Sequence, residues 1–363
     1  MIFLERTIFL TKKVHTEIDQ MQKIDIYSKR KNERWPSWDI VYEWEDIFSK
    51  EMGVPIKDAG KLEVLHENRL TRKIASTKAI KEVLQFIDRA LSSKKVKHIA
   101  FEMDRKSNLS YSNSRTAIPL LIDFWSRDYK TFFETYQNAE LICLSNLEVV
   151  NFLKSHGCPL NIRHLPLSLP DSYKIENTDL SRKKYDIILA GRRNPILWGF
   201  LQTFEAKYPE VEYLYQEQLG GRLVYKSNKN GVIGEFHSRG EYMTLLQQCR
   251  ISFYSTPGID GGEKRTHGFN PVTPRFLELL SAKCLLLGRY PDNEDVNFYQ
   301  LPDFCPHVDT YEDFELVLSK YMNLKSPDFS LQTTYLEQHY TSKRASQLKS
   351  YILETFNYEC TRI

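Results

Sequence analysis

Apolar residues fall at strand or helix spacing along most of the chain, more cleanly in the second half than in the first. Residues 6–10 read as a first strand, and residues 28–34 as a polar, basic loop. Ile40, Val41, Trp44, Ile47 and Phe48 mark an amphipathic helix after the turn at Trp35-Pro36-Ser37. Ala79, Ile80, Val83, Leu84, Ile87 and Leu91 predict a stronger one. Short apolar runs at 97–101, 119–122, 139–144 and 162–165 read as strands, with a serine-rich loop at 105–115 and a helix at 146–156. This alternation predicts a parallel sheet covered on both faces.

Residues 165–184 are rich in Pro, Ser and charge and read as a linker. Beyond them the alternation resumes. A strand at 185–190 leads through Gly191 to a helix carrying Leu197, Leu201 and Phe204. Tyr242, Leu245, Leu246 and Cys249 predict a further helix, and 250–255 a strand. Residues 270–288 then read as loop, short helix and buried strand. Residues 311–321 and 334–356 complete the pattern as helices, and the acidic run 292–295 reads as a solvated helix start.

Chemistry enters at three places in that second half. Ligands of open α/β sheets sit at the carboxyl ends of strands, which puts Gly191, Arg192 and Arg193 where a diphosphate would lie; the plainer alternative is a polar loop. Residues 256–269 hold four glycines, with Lys264, Arg265 and His267, and read either as a solvated loop or as a mobile phosphate loop. Thr273 is placed to cap the next helix and Pro274 suits its first turn. Arg275 stands in that turn against the dipole preference for acids, which fits an incoming phosphate. Glu278, three residues on, shares its face and is placed to accept sugar hydroxyls. A capped helix with a surface Arg–Glu pair explains the same residues.

The segment TPRFLELLSAKCLLLG resembles the sugar-nucleotide site of the GT-B glycosyltransferases, among them the group 1 and spore-maturation type proteins. In that family a Glu-x7-Glu signature straddles a helix start. Glu278 takes the second position, which binds the ribose, and Asn270 takes the first, without the acid's charge. Lys283 stands where the family has a helix-ending Gly, and Trp198 lies near the position of a phosphate-binding Lys. The resemblance implies two Rossmann-like α/β domains facing across a cleft. Residues 1–170 would be the acceptor side, 171–333 the nucleotide-sugar domain, and 334–363 a helix crossing back to the first domain. It further implies a general base from the first domain, for which Asp104 and Asp123 at strand ends are the candidates and His15 an outsider.

Composition narrows the alternatives. The chain has 363 residues, 41% of them hydrophobic and 27% charged, enough for two domains each with a core. A net charge of +3 gives no ground for a nucleic-acid partner. The six cysteines form no CxxC pair and read as free thiols of a reducing cytosol. The start, MIFLERTIFLTKK, is interrupted by Glu5 and Arg6 and reads as neither a signal peptide nor a membrane span. Hydrolase, zinc-protease, Walker A and dinucleotide motifs are absent, as is the D-x-D of metal-dependent sugar transferases.

The expectation is therefore a cytoplasmic, metal-independent glycosyltransferase with no cofactor beyond its nucleotide-sugar substrate. Its acceptor would be a glycan or a lipid-linked sugar of surface-polysaccharide type, reached through a peripheral contact with the inner face of a membrane. A sugar-nucleotide-binding module without catalysis and a GT-B type epimerase are the alternatives.

Overall fold

The structure is a computed structural model. It describes residues 23–31, 33, 36–58, 97–103, 116–174, 183–219 and 222–357. The strand expected at 6–10, the helix through Ala79 and Leu91, the loop 105–115, His15, Asp104 and Cys360 lie outside the described residues.

The chain divides into two compact units, Met1–Pro166 with Thr341–Ile363, and Leu167–Tyr340. In the first, strands β1 (Ile24–Ser28), β2 (Ile56–Asp58), β3 (Lys97–Glu102), β4 (Ala117–Leu121), β5 (Ile142–Leu144) and β6 (Ile162–His164) form a sheet ordered β2-β1-β3-β4-β5-β6. Every pairing in it is parallel. Among the described residues before residue 167 its helices are α1 (Asp39–Met52), α2 (Tyr129–Tyr136) and α3 (Leu147–Ser155). The buried face of α1 carries Ile40, Val41, Trp44, Phe48 and Met52, and the helix stops at Gly53 in the left-handed conformation, φ 68°. Asn146 caps α3 by accepting from the Val149 N–H at 2.9 Å.

In the second unit come β7 (Tyr185–Leu189), α4 (Pro195–Lys207), β8 (Tyr213–Leu219), β9 (Arg222–Ser227), β10 (Gly231–Glu235), α5 (Arg239–Gln247) and β11 (Cys249–Ser255). They are followed by α6 (Pro274–Ser281), β12 (Leu285–Arg289), α7 (Glu294–Phe298), α8 (Leu301–Phe304), α9 (Tyr311–Asn323) and α10 (Ser330–Leu336). The sheet order is β10-β9-β8-β7-β11-β12. Strands β8, β7, β11 and β12 are parallel, while β8-β9-β10 is an antiparallel meander. The meander departs from the all-parallel expectation. Its strands carry polar residues such as Gln216, Glu217, Gln218 and Lys226, unlike the apolar run Leu285-Leu286-Leu287 of β12. Residues 228–230 make the turn between β9 and β10, and Gly231 enters β10 at φ 70°.

Two further expectations are corrected. The helix read over 334–356 is broken, because Leu169 forms a β-bridge with Tyr340 and takes the His339 carbonyl at 2.9 Å, holding that backbone extended. Helix α11 (Thr341–Asn357) starts after the break and packs on α1 in the first unit. The acidic run does begin a helix, α7, but Asp295 is buried rather than solvated. Among the described residues no helix is long and apolar enough to cross a membrane, and the five described cysteines are free thiols.

Two buried ionisable groups in the first unit set opposite pH slopes. Burial pushes the Glu45 carboxyl up to about 7, against bonds from Ser28 (2.5 Å) and Arg30 (3.0 Å) that favour its charge. The folded state therefore holds this proton more tightly than the unfolded chain, and the stability it contributes falls as pH rises from 4.5 through about 7. Burial pulls His164 down to about 4, while its Nε2–H donates to the Ser145 carbonyl at 3.1 Å. Stability is then lost as pH drops from 6.5 through about 4. The two slopes oppose each other in the shared window. Glu45→Gln is expected to leave only the His164 limb, so that urea denaturation at three pH values across that window shows a steady rise. A profile unchanged from the wild type would contradict the assignment of Glu45.

Candidate functional site

The chain leaves β7 toward β8 on one side of the sheet, and β11 continues toward β12 on the other. That reversal of direction opens a crevice over the carboxyl ends of β7 and β11, the place where open α/β sheets take ligands. Three segments meet the crevice: Gly191-Arg192-Arg193 after β7, the loop 256–273 after β11, and the first turn of α6.

Gly191 and Arg275 are the closest of the expected residues. Gly191 has φ 74°, and a β-carbon there would stand 2.2 Å from Nη2 of Arg275 and 2.4 Å from its Cζ. Only a glycine lets the guanidinium lie on that backbone. Arg275 is half-buried beside Tyr242, and its Nε has no hydrogen-bond partner. It is not the surface residue of the plainer reading.

Glu278 differs from expectation in its partner. It is 5% exposed, and its Oε1 takes Nη2 of Arg239 at 2.8 Å. Arg239 begins α5 behind the cap of Ser238 and lies over the Tyr173 ring. No spacing rule connects residues 39 positions apart, so pattern reading misses this arginine. Thr273 sits at the cap position of α6, but its side chain makes no capping bond. The Tyr254 hydroxyl accepts its N–H at 3.0 Å instead.

The loop 256–273 is folded rather than loose. Asp260, at φ 54°, takes Nε and Nη2 of Arg289 at 2.7 and 2.9 Å and the Asn194 side-chain amide at 2.7 Å. The Arg289 guanidinium holds the Asp260 carboxyl below its ordinary range. Asn194 meanwhile caps α4, which ties the loop to the segment carrying Arg192 and Arg193. Glu263 receives Arg192 at 3.0 Å and Arg265 at 3.1 Å, and the Arg265 bond keeps its carboxyl below the usual value. Lys264 is exposed. Asn270 accepts from the Thr256 hydroxyl at 3.0 Å and donates to the Gly268 carbonyl at 3.3 Å, so it braces the loop.

Arg193 lies over the rings of Trp198 and Tyr215, 4.8 and 5.6 Å from their centroids, so Trp198 serves as a platform near the expected lysine position. Lys283 ends α6 at φ 53°, which costs up to about 1 kcal/mol relative to glycine. Asp123 belongs to the first unit, half-buried just beyond β4, its N–H donating to the Met103 carbonyl at 2.8 Å.

No protein-family model matches the chain, and no curated protein matches it. Solved structures do. The pneumococcal O-GlcNAc transferase GtfA, in complex with UDP and GlcNAc, aligns over 74% of this chain with TM-score 0.46 and 12% identity. The alignment spans 60% of that transferase's own length. Anabaena HepE in complex with UDP aligns over 94% of this chain and 99% of its own, with TM-score 0.43 and 10% identity. A trehalose-6-phosphate synthase aligns over 92% of this chain and 99% of its own, with TM-score 0.52 and 9% identity. At that identity the likeness is one of architecture. Two α/β units with mostly parallel sheets, matched by the synthase over nearly the whole of both chains, give this protein the fold of the GT-B glycosyltransferases.

Proposed function

We propose that the chain is a glycosyltransferase whose second unit holds a nucleotide-diphosphate sugar and which passes the sugar to a glycan or lipid-linked acceptor of surface-polysaccharide type. The observation that carries this reading is the seat of Arg275. A half-buried arginine lays its guanidinium on the Gly191 backbone at the switch point of the sheet, in the first turn of α6, near the buried carboxylate of Glu278. Such a site favours a diphosphate for two reasons: cation and helix N-terminus attract the same anion, and both stabilise the charge that grows on the leaving nucleotide as the glycosidic bond breaks. Fold analogy with the trehalose-6-phosphate synthase adds support of a general kind.

In this reading Glu278 receives the ribose hydroxyls. Arg192, Arg193, Lys264 and Arg265 supply further positive charge, while Asn270 and Thr273 shape the loop. Arg192 and Arg265 both rest on Glu263, so an entering diphosphate competes with that carboxylate for them. Asp104 or Asp123 serves as the general base, and the enzyme works in the cytoplasm beside a membrane face.

The cations take the place of a divalent metal. Calorimetric titration with uridine, guanosine and adenosine diphosphates is expected to give the same affinity in EDTA as in manganese. Binding abolished by EDTA and restored by manganese would overturn metal independence. Product analysis with a nucleotide sugar, with and without acceptor, separates transfer from binding alone and from epimerisation.

A further inference from the structure

The antiparallel meander brings a residue into this site that neither spacing nor motif indicates. Tyr225 on β9 is opposite Gln216 of β8 and Gly234 of β10. It is 3% exposed and shares one apolar cluster with Ile188, Ala190, Leu214, Tyr254, Val272 and Phe276. That cluster joins the sheet to α6, the helix that begins with Arg275. Tyr225 also packs edge-on against Phe236, with centroids 5.4 Å apart, so its ring is held.

Its hydroxyl has no hydrogen-bond partner, and neither has Nε of Arg275. Buried polar groups are nearly always paired, and two unpaired donors, one in this cluster and one on the helix whose Phe276 belongs to it, call for an explanation. Burial, with Tyr242 nearby, pushes the Tyr225 phenol well above its usual range, so it remains a neutral O–H donor. The Nε–H of Arg275 is a donor at every pH. The Arg275 charge reaches the Tyr225 hydroxyl, and two unpaired donors so related suit a ligand rich in acceptor oxygens.

We propose that Tyr225 is a ligand-binding residue, whose hydroxyl and the Nε–H of Arg275 both donate to the oxygens of a bound diphosphate. This rests on the assignment of a nucleoside diphosphate to the crevice. It adds a contact from a strand two places away from β7, on an element that the βα alternation does not include.

The test is Tyr225→Phe, titrated with uridine diphosphate and with inorganic pyrophosphate, beside thermal melting of the free protein. Losing one hydroxyl contact is expected to weaken uridine diphosphate binding by about threefold to tenfold. Pyrophosphate binding should weaken by a similar factor. The melting temperature of the free variant should stay level or rise, because an unpaired buried hydroxyl has been removed. A lower melting temperature with unchanged affinity would assign the hydroxyl to the fold and overturn the proposal. Unchanged affinity and unchanged melting would overturn it equally. Wild-type protein that binds none of the nucleoside diphosphates would instead overturn the assignment of the crevice, and this inference with it.

Discussion

Arg275→Ala is expected to weaken uridine diphosphate binding at least tenfold. The side chain sits on Gly191 at the switch point, where its charge acts on the Tyr242 hydroxyl. A hydrogen bond to a charged group is worth roughly 1.5–3 kcal/mol, and about 1.4 kcal/mol is a factor of ten. Glu278→Gln keeps the shape of its side chain and removes the charge, so a loss of the same order is expected if it holds the ribose. That variant has a second effect, since it unpairs a largely buried Arg239 and lowers stability too. Arg239→Gln supplies the control. If Glu278 serves only the ion pair, both variants should lose similar stability and bind nucleotide as the wild type does. If it binds ribose, Glu278→Gln should lose affinity and Arg239→Gln should keep most of it. Calorimetry below the melting temperature of each variant distinguishes the two outcomes, and unchanged affinity in both Arg275→Ala and Glu278→Gln would remove the basis of the proposed function.

The largest expected effect on stability is in the first unit. Lys29 follows β1, and its Nζ donates to both carboxylate oxygens of Glu102, at 3.0 and 2.9 Å. The two side chains are 6% and 0% exposed. Lys29→Met leaves the Glu102 carboxylate buried without its cation, which costs about 3–5 kcal/mol. Replacing both, as Lys29→Met with Glu102→Leu, is expected to recover most of the loss, because an apolar pair of similar volume carries no desolvation penalty. Urea denaturation followed by the fluorescence of Trp38, Trp44 and Trp125 reports on this unit. A double variant no more stable than the single one would show that the pair is needed for more than charge balance.

Much of the βα alternation can be read from the chain, and the reason is local. Parallel strands are buried on both faces, so β4, β5 and β12 read as short apolar runs, and Asn146, Asn194 and Ser238 mark helix starts by their own side chains. The meander hides because its strands mix polar with apolar residues and leave Leu219, Leu223 and Val232 exposed, so they lack that signature. The site is half legible for the same reason. Arg275 and Glu278 are three residues apart, and their shared face follows from helix geometry. Arg239, Asp260 with Arg289, and Lys29 with Glu102 are contacts between segments distant in sequence, and only the folded chain brings them together.

Helix α11 belongs to the first unit although the whole of the second unit precedes it in the chain. During synthesis, residues 167–340 emerge as one uninterrupted stretch and have all their own partners before Thr341 is made. The first unit, begun earlier, lacks the helix that packs on α1 until synthesis has passed residue 341. Growing chains usually complete their domains from the amino end. Here the order of completion is inverted, and α1 spends the intervening interval without its cover.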